Sequence, residues 1–409
     1  DISFSTSKQS LGFSMVYNSY QRSTNIGYGL GWQTNYNMIA GYDSSIGLYY
    51  SVDATGSKEY YHSYAEGSKI LSSLIPDGST GSYYLAEDGS GRILLIIENS
   101  SSVVTGYYIL TADYKIYAFE TLSNLIWYLT SIVDITSESI LTITISRNAS
   151  NPNRIEQITD SSGNKIVITY SSNRIYSAIL YVMQDDESFV TTEKTIYSYT
   201  YIAGLSDFAP NYVYYYKNMD GNTTWTLDKY VNYSYDSYAR MLQAYQSGAS
   251  KVVYTYDTTK NRVSTISSYY SSSLFQTLTY TYSFRFTTIT NQDGDFVTNK
   301  FDDYGHTVNI IDKYGVTQTY TYLNLFKNVG ENNEITTLLD GTPNYNNNHK
   351  LVVQSDAQTT SINPLINPGF EYDLASNDDG WALIKDYLVY SSASRTQTYS
   401  QVGDYSIVL

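Results

Sequence analysis

Three glycines spaced two apart, Gly27, Gly29 and Gly31 in the stretch NIGYGLGWQTNY, have the look of a phosphate-binding loop. Such loops work when a strand leads in and a helix opens inside the loop, so that backbone N–H groups and the helix N-terminus face the anion. The flanks here, GFSMVYNSYQ and WQTNYNMIAGY, alternate apolar or aromatic with polar residues on both sides, which is the period of a strand. No helical face opens after Gly31, so a nucleotide site is excluded on context. Gly29 and Gly31 are expected to allow a tight bend and a close backbone approach beside Trp32, which anchors the turn.

Other chemistry-bearing residues are sparse. His62, His306 and His349 stand far apart in YYHSYA, YGHTVN and NNNHKL, and a general-base or metal site would need the fold to bring them together. Acidic pairs occur at Asp185-Asp186, Asp302-Asp303 and Asp378-Asp379. A glycosidase needs two carboxyls facing each other at about 5 to 9.5 Å, whereas neighbours on a strand point to opposite faces. NQDGDF, from Asn291, lacks the later bidentate Glu of a calcium loop and is expected to be a hairpin turn. Neither Gly-x-Ser-x-Gly nor His-Glu-x-x-His is present, so hydrolase templates find no anchor, and no catalytic residue is assigned.

The elements that would position any site must be strands. The 409 residues include 48 Tyr, 12 Phe and 4 Trp with only 6 Pro and no Cys. Tyrosine at that level among Ser, Thr, Ile and Val suits a pleated surface with one wet face, so an all-β protein is expected. A net charge of -15 disfavours nucleic-acid partners. No run reaches the roughly 20 apolar residues of a membrane helix, so no membrane insertion is expected. The missing cysteines remove disulfides and thiolate metal sites and agree with export without oxidative folding.

Repetition organises the chain. YSYD at Tyr233 to Asp236 recurs as YTYD at Tyr254 to Asp257, with weaker copies from Tyr280 and Tyr320. Asp-x-x-Gly tetrads run from Asp160 to Gly163, Asp302 to Gly305 and Asp312 to Gly315. An Asp bonds backbone amides two residues on and a Gly supplies positive φ, so each tetrad predicts a hairpin turn, and Asp236 and Asp257 end strands in the same way. One such hairpin cannot bury its own apolar face, so successive units must stack. Four regions follow: residues 1–125, β-rich; 126–330, the repeats; 331–362, a linker or loop; and 363–409, a new module.

These motifs resemble the YD repeats of rearrangement-hotspot (RHS) proteins and teneurins, whose unit is a D-x-x-G-(R/N) turn, a strand and a Y-x-Y-D strand end. ITDSSGNKIVITYSSNRI from Ile158 and the stretch from Val231 to Val263 match best. The family's opener, YNS followed by an aromatic-G-x-G-W, resembles Tyr17-Asn18-Ser19 and Tyr28-Gly29-Leu30-Gly31-Trp32. The pattern departs at Asp134, where no turn Gly follows, and at Ala239, which stands where the unit has Gly. The segment from Asn363 resembles the start of a carbohydrate-binding-module-like β-sandwich through Asn367, Pro368, Phe370, Glu371, Gly380 and Trp381. Only about 45 of a sandwich's roughly 100 residues are there, which implies a truncated module.

The resemblance implies a long antiparallel sheet curling as part of a hollow shell, followed by a partial β-sandwich. It implies a non-enzymatic, secreted or cell-surface protein whose shell encloses a C-terminal toxin domain of the parent chain or presents adhesive surfaces to cell-surface glycans. No cofactor is called for, beyond a structural calcium that Glu371 would help hold in a complete module. Two rivals stay open: a glycan-binding adhesin, and a polysaccharide-active enzyme on a repetitive β scaffold.

Overall fold

The computed structural model describes residues 2–5, 10–123, 126–136, 140–218, 224–248, 250–257, 262–302, 305–322, 348–356, 394–396 and 406–408. They fall into two compact units, Asp1–Ala86 with Ser90–Thr277, and Glu87–Gly89 with Leu278–Leu409. Apart from a 3₁₀ turn, Ser19–Gln21, and a one-turn helix, Lys69–Ser72, the described elements are strands. Every strand pairing for which a register is described is antiparallel, each to a neighbour joined by a turn or loop in most cases.

In the first unit eight strands close a ring: Ile39–Asp43, Leu48–Val52, Lys58–Ser63, Thr80–Ala86, Ile93–Glu98, Val104–Leu110, Lys115–Ser123 and Ile126–Asp134. Closure comes from the last strand meeting the first, with Trp127 opposite Ala40 and Tyr128 opposite Ile39. The far half of that same strand, Ser131 to Asp134, pairs instead with Leu141–Asn148. The sheet therefore branches at Ile126–Asp134 and continues as a ladder of hairpins through Asn151–Asp160, Lys165–Ser171, Arg174–Met183, Phe189–Ile202, Asp207–Lys217, Thr226–Tyr235, Met241–Gln246, Ser250–Tyr256 and Val263–Tyr270. The boundary read at residue 125 thus lies between Lys115–Ser123 and Ile126–Asp134, two strands that pair antiparallel within one continuous sheet.

Alternation sets the ladder's core. In LTITIS, Leu141, Ile143 and Ile145 are buried while Thr142 and Thr144 are not, and Ile166 and Ile168 repeat the pattern one hairpin later. Ile143, Ile145, Ile166 and Ile168 join Ile155, Ile158, Ile175, Leu180, Tyr197 and Val213 in one cluster. The strand Ile93–Glu98 is different, because Leu94 to Ile97 is buried on both faces. Leu94 and Ile96 belong to the main cluster, while Leu95 and Ile97 pack with Leu71 of the short helix, Leu110 and Ile116. A strand covered on both sides loses its alternation and reads as a continuous apolar run.

The second unit pairs the part of Ser273–Ser283 beyond Leu278 with Phe286–Thr290, then Phe296–Phe301, Thr307–Asp312, Thr317–Tyr322 and Leu351–Asp356. The last of these strands lies in the stretch 331–362 read as a linker or loop; its backbone finds partners along Gln318 to Tyr322, which turn-rich flanking composition does not reveal. Of residues 363–409, Ser394–Thr396 and Ser406–Val408 are described, as a two-stranded pair. Glu371 and the other module residues, Asn367, Pro368, Phe370, Gly380 and Trp381, lie outside the described residues. Among the described residues no helix is long and apolar enough to cross a membrane.

Candidate functional site

The glycine run builds the most connected site of the first unit, by crossing the ends of successive ladder hairpins. Asn25 starts it: its Oδ1 accepts from the N–H groups of Gly27 (2.9 Å) and Gly29 (3.0 Å), and its Nδ2 donates to Asp207 (2.9 Å). Gly27 O then accepts from Ile175 N at 3.1 Å, and Leu30 N donates to Phe208 O at 2.9 Å. These bonds tie the run to the rims of two hairpins, at Ile175 and at Asp207–Phe208. Two glycines are forced by the geometry. Gly29 has φ +103°, and a Cβ there would lie 2.5 Å from Pro210 Cδ; Gly31 has φ +75°, with Tyr17 Cε2 at 2.9 Å and Arg22 Cα at 3.0 Å from such a Cβ.

The aromatic residues between the glycines reach onto the tyrosines of the ladder. Tyr28, fully buried, donates to Asn153 O (3.0 Å) and accepts from the Tyr170 hydroxyl (3.2 Å). Trp32 Nε1 donates to the Tyr235 hydroxyl at 3.0 Å, and that hydroxyl donates onward to Pro210 O at 2.8 Å. The Trp32 ring meets Tyr233 edge-on at 5.0 Å between centroids, and Tyr17 at 5.7 Å. Tyr17 closes the span by donating to Ala239 O at 2.7 Å. Tyr233 and Tyr235, two apart in YSYD, share one face of their strand, so this motif presents two rings to the same covering segment. Burial drives their hydroxyl pKa values upward, that of Tyr233 to about 12.

Each Asp of the tetrads closes a turn by the same set of bonds. Asp160 Oδ1 accepts from Ser162 N and Asn164 N, both at 2.9 Å, and Asp312 Oδ1 from Tyr314 N and Val316 N, both at 2.9 Å. The fourth residue donates to the Asp carbonyl with positive φ: Gly163 at +84°, Gly305 at +87° and Gly315 at +80°. Where the fifth side chain can donate, it takes the other carboxylate oxygen: Asn164 Nδ2 at 2.9 Å from Asp160, Arg240 Nε at 2.6 Å from Asp236, and His306 Nδ1 at 2.8 Å from Asp302. This second carboxylate bond gives the R/N position of the repeat a physical purpose. Ala239 holds the fourth place at φ +57°, fully buried beside Leu30, Ile202 and Ala209. Asp257 N donates to Arg262 O at 2.8 Å.

Sequence reasoning passed over several members of this set. Asp53-Ala54-Thr55-Gly56 makes the same turn, with Asp53 Oδ1 accepting from Thr55 N (2.8 Å) and Ser57 N (2.9 Å), and was findable by the same tetrad rule. NQDGDF, expected to be a hairpin turn, closes the same way with Asn291 in place of Asp, accepting from Asp293 N (3.0 Å) and Asp295 N (2.9 Å). Arg147 carried no sequence signal. Its buried guanidinium donates to three carbonyls, of Leu129 (2.9 Å), Pro152 (2.9 Å) and Tyr36 (2.7 Å), and burial lowers its pKa. In the second unit His306 and His349 come together, ring centroids 4.5 Å apart, with His306 stacked on Tyr322 at 4.6 Å. Among the described residues no group of three or more His, Asp or Glu side chains could hold a metal ion.

The arrangement defines an all-β protein of antiparallel hairpins, ringed at one point and strapped by the segment from Tyr17 to Trp32. No family model matches the sequence, and no curated protein matches it. Among solved structures the chain is similar to a Tc holotoxin pore from Photorhabdus luminescens, at 10% identity over 76% of this chain and 18% of that one, with a TM-score of 0.32. A crystal structure of TcdB2-TccC3-TEV is similar at 12% identity, over 69% of this chain and 18% of that one, TM-score 0.31. The N-terminal domain of the effector protein SpvB from Salmonella typhimurium is similar at 12% identity, over 60% of this chain and 98% of that one, TM-score 0.32. The chain spans about a fifth of the length of the toxin-complex chains it matches.

Proposed function

We propose that the chain is a wall segment of an RHS-type β-shell, with a structural rather than catalytic role. The observation that carries this reading is the branch at Ile126–Asp134, where one strand both closes a ring with Ile39–Asp43 and starts a ladder with Leu141–Asn148. A sheet that closes at one point and continues from it is suited to building a wall. The Y-x-Y-D and D-x-x-G-(R/N) pattern supports the same assignment, since its tyrosines face the covering segment and its Asp residues close the turns. In this reading the shell encloses or displays a toxin or adhesive module of a longer polypeptide, outside the cell that makes it.

Cryo-electron microscopy of the full-length gene product tests the proposal. A hollow wall continuous with these hairpins, with density enclosed in it, is the expected result. A solid or fully extended particle would overturn it, as would turnover of a polysaccharide by this chain.

A further inference from the structure

Where the glycine run crosses the hairpin rims, it leaves a cleft of about 420 Å³ lined by Asn25, Gly27, Asn153, Arg154, Arg174 and Asp207 among others. Two guanidiniums line it with no carboxylate partner among the described residues. Arg154 donates from Nη2 to Asn173 Oδ1 at 2.8 Å and lies 5.3 Å from the Tyr170 ring centroid, while its buried Nε has no hydrogen-bond partner. Arg174 stacks on Phe208, 3.9 Å from the ring centroid, and lies 5.3 Å from that of Tyr199. Both cations are therefore oriented by aromatic rings and an amide, which leaves their charge uncompensated by an acid in a chain of net charge -15. The one acid of the cleft, Asp207, is already engaged by Asn25 Nδ2 at 2.9 Å and by Phe208 N at 2.7 Å.

We propose that this cleft binds a carboxylate-bearing sugar, a uronic acid. A planar carboxylate matches the guanidinium fork. Asp207 and the asparagines add acceptors and donors that suit the hydroxyls of a sugar ring, and the Asp207 charge disfavours a dianion such as phosphate. The volume exceeds what a bare carboxylate needs and accommodates one monosaccharide. The proposal is independent of the wall assignment, because a wall segment need not bind sugar and a sugar site need not sit in a wall.

Isothermal titration of the full chain with glucuronate, glucose, acetate, inorganic phosphate and a short peptide ending in aspartate tests it. Glucuronate is expected to bind at least about tenfold more tightly than glucose, acetate or phosphate, and to weaken as salt screens the pair. Arg174→Gln is expected to weaken glucuronate at least about tenfold with the circular dichroism unchanged. Because Arg154 also holds Asn173, Arg154→Lys serves as the second variant, keeping charge while losing the fork, and is expected to weaken binding as well. Tighter binding of phosphate or the peptide would overturn the assignment. So would equal binding of glucuronate and glucose, or unchanged affinity in a folded Arg174→Gln protein.

Discussion

From Leu11 to Met241 the first unit buries aliphatic and aromatic side chains, whereas its last full strands, Ser250–Tyr256 and Val263–Tyr270, bury none, and in the second unit no hydrophobic side chain among the described residues is buried. Both are built from the same tyrosine-bearing strands and the same Asp-capped turns. What differs is cover. In the first unit the segment from Tyr17 to Trp32 lays its rings over Tyr170, Tyr233 and Tyr235, and the ring strands add a second layer. In the second, Tyr280 stacks on Tyr282 along one strand at 6.4 Å and both stay half-exposed. A repeat pattern specifies pairing and turns; burial needs a second piece of chain laid across it.

The sharpest way to break this contrast is a valine at equivalent-looking glycines. Gly29→Val adds positive-φ strain of about 1–3 kcal/mol to a clash against Pro210 worth about 1–3 kcal/mol. It is expected to lower stability by about 2–6 kcal/mol in denaturant titrations. Gly315→Val, at φ +80° with nothing within 4 Å of its Cβ position, carries strain alone and should cost about 1–2 kcal/mol. Equal losses would mean that the covering segment adds nothing at Gly29.

Alkali should act chiefly on the covered unit. Burial, the leading cause, pushes the Tyr233 and Tyr256 hydroxyls up to about 12 from an ordinary 10.0. A pKa raised on folding stabilises fully below pH 10.0 and is lost as pH rises through about 12. Thermal melts across that window should therefore show a falling Tm, with phenolate absorbance from these residues appearing together with unfolding; phenolate formed in a still-folded protein would refute the burial argument.

Tyr235→Phe removes the hydroxyl between Trp32 Nε1 and Pro210 O, leaving both without that partner. A loss of about 1–3 kcal/mol is expected. Tyr280→Phe, on a half-exposed strand, should change stability little, and a reversed order of the two variants would contradict the contrast.

The smallest effect belongs to the second unit at mild acidity. Burial, then the neighbouring His306, hold the His349 pKa below its ordinary 6.5, while Glu87, Asp302 and Asp88 pull it the other way. His306 itself shares a hydrogen bond with Asp302. With the folded pKa depressed, the unfolded chain takes the proton first, so the stability present above pH 6.5 declines as pH falls below it toward the lower folded value. Hydrogen exchange along Leu351–Asp356 and Thr317–Tyr322 should quicken over that range, and His349→Gln should abolish the dependence.

Much of this fold was legible because its determinants are local. LTITIS announces a one-sided strand, and Asp-x-x-Gly announces a turn, since both depend on residues within five positions. For Gly29 and Gly31 the sequence suggested a tight bend and close approach, but the partner at Gly29, Pro210, lies far along the chain and could not be read from it. Ring closure of Trp127 on Ala40, the two-sided burial of Leu94 to Ile97, the carbonyl nest around Arg147 and the meeting of His306 with His349 all depend on register between distant strands. Leu351–Asp356 was hidden by its polar surroundings, and the strand draws its bonds from Thr317–Tyr322.

The hydrogen bond from Tyr17 to Ala239 spans 222 residues, and this has a bearing on the order of events at the ribosome. At about 5–20 residues per second, synthesis of that interval takes on the order of 10–45 seconds. The segment around Tyr17 thus has no seat until Ala239, 222 residues later, has been made. Its Tyr, Leu and Trp side chains stay uncovered over that interval, so a segment made well before its seat docks late.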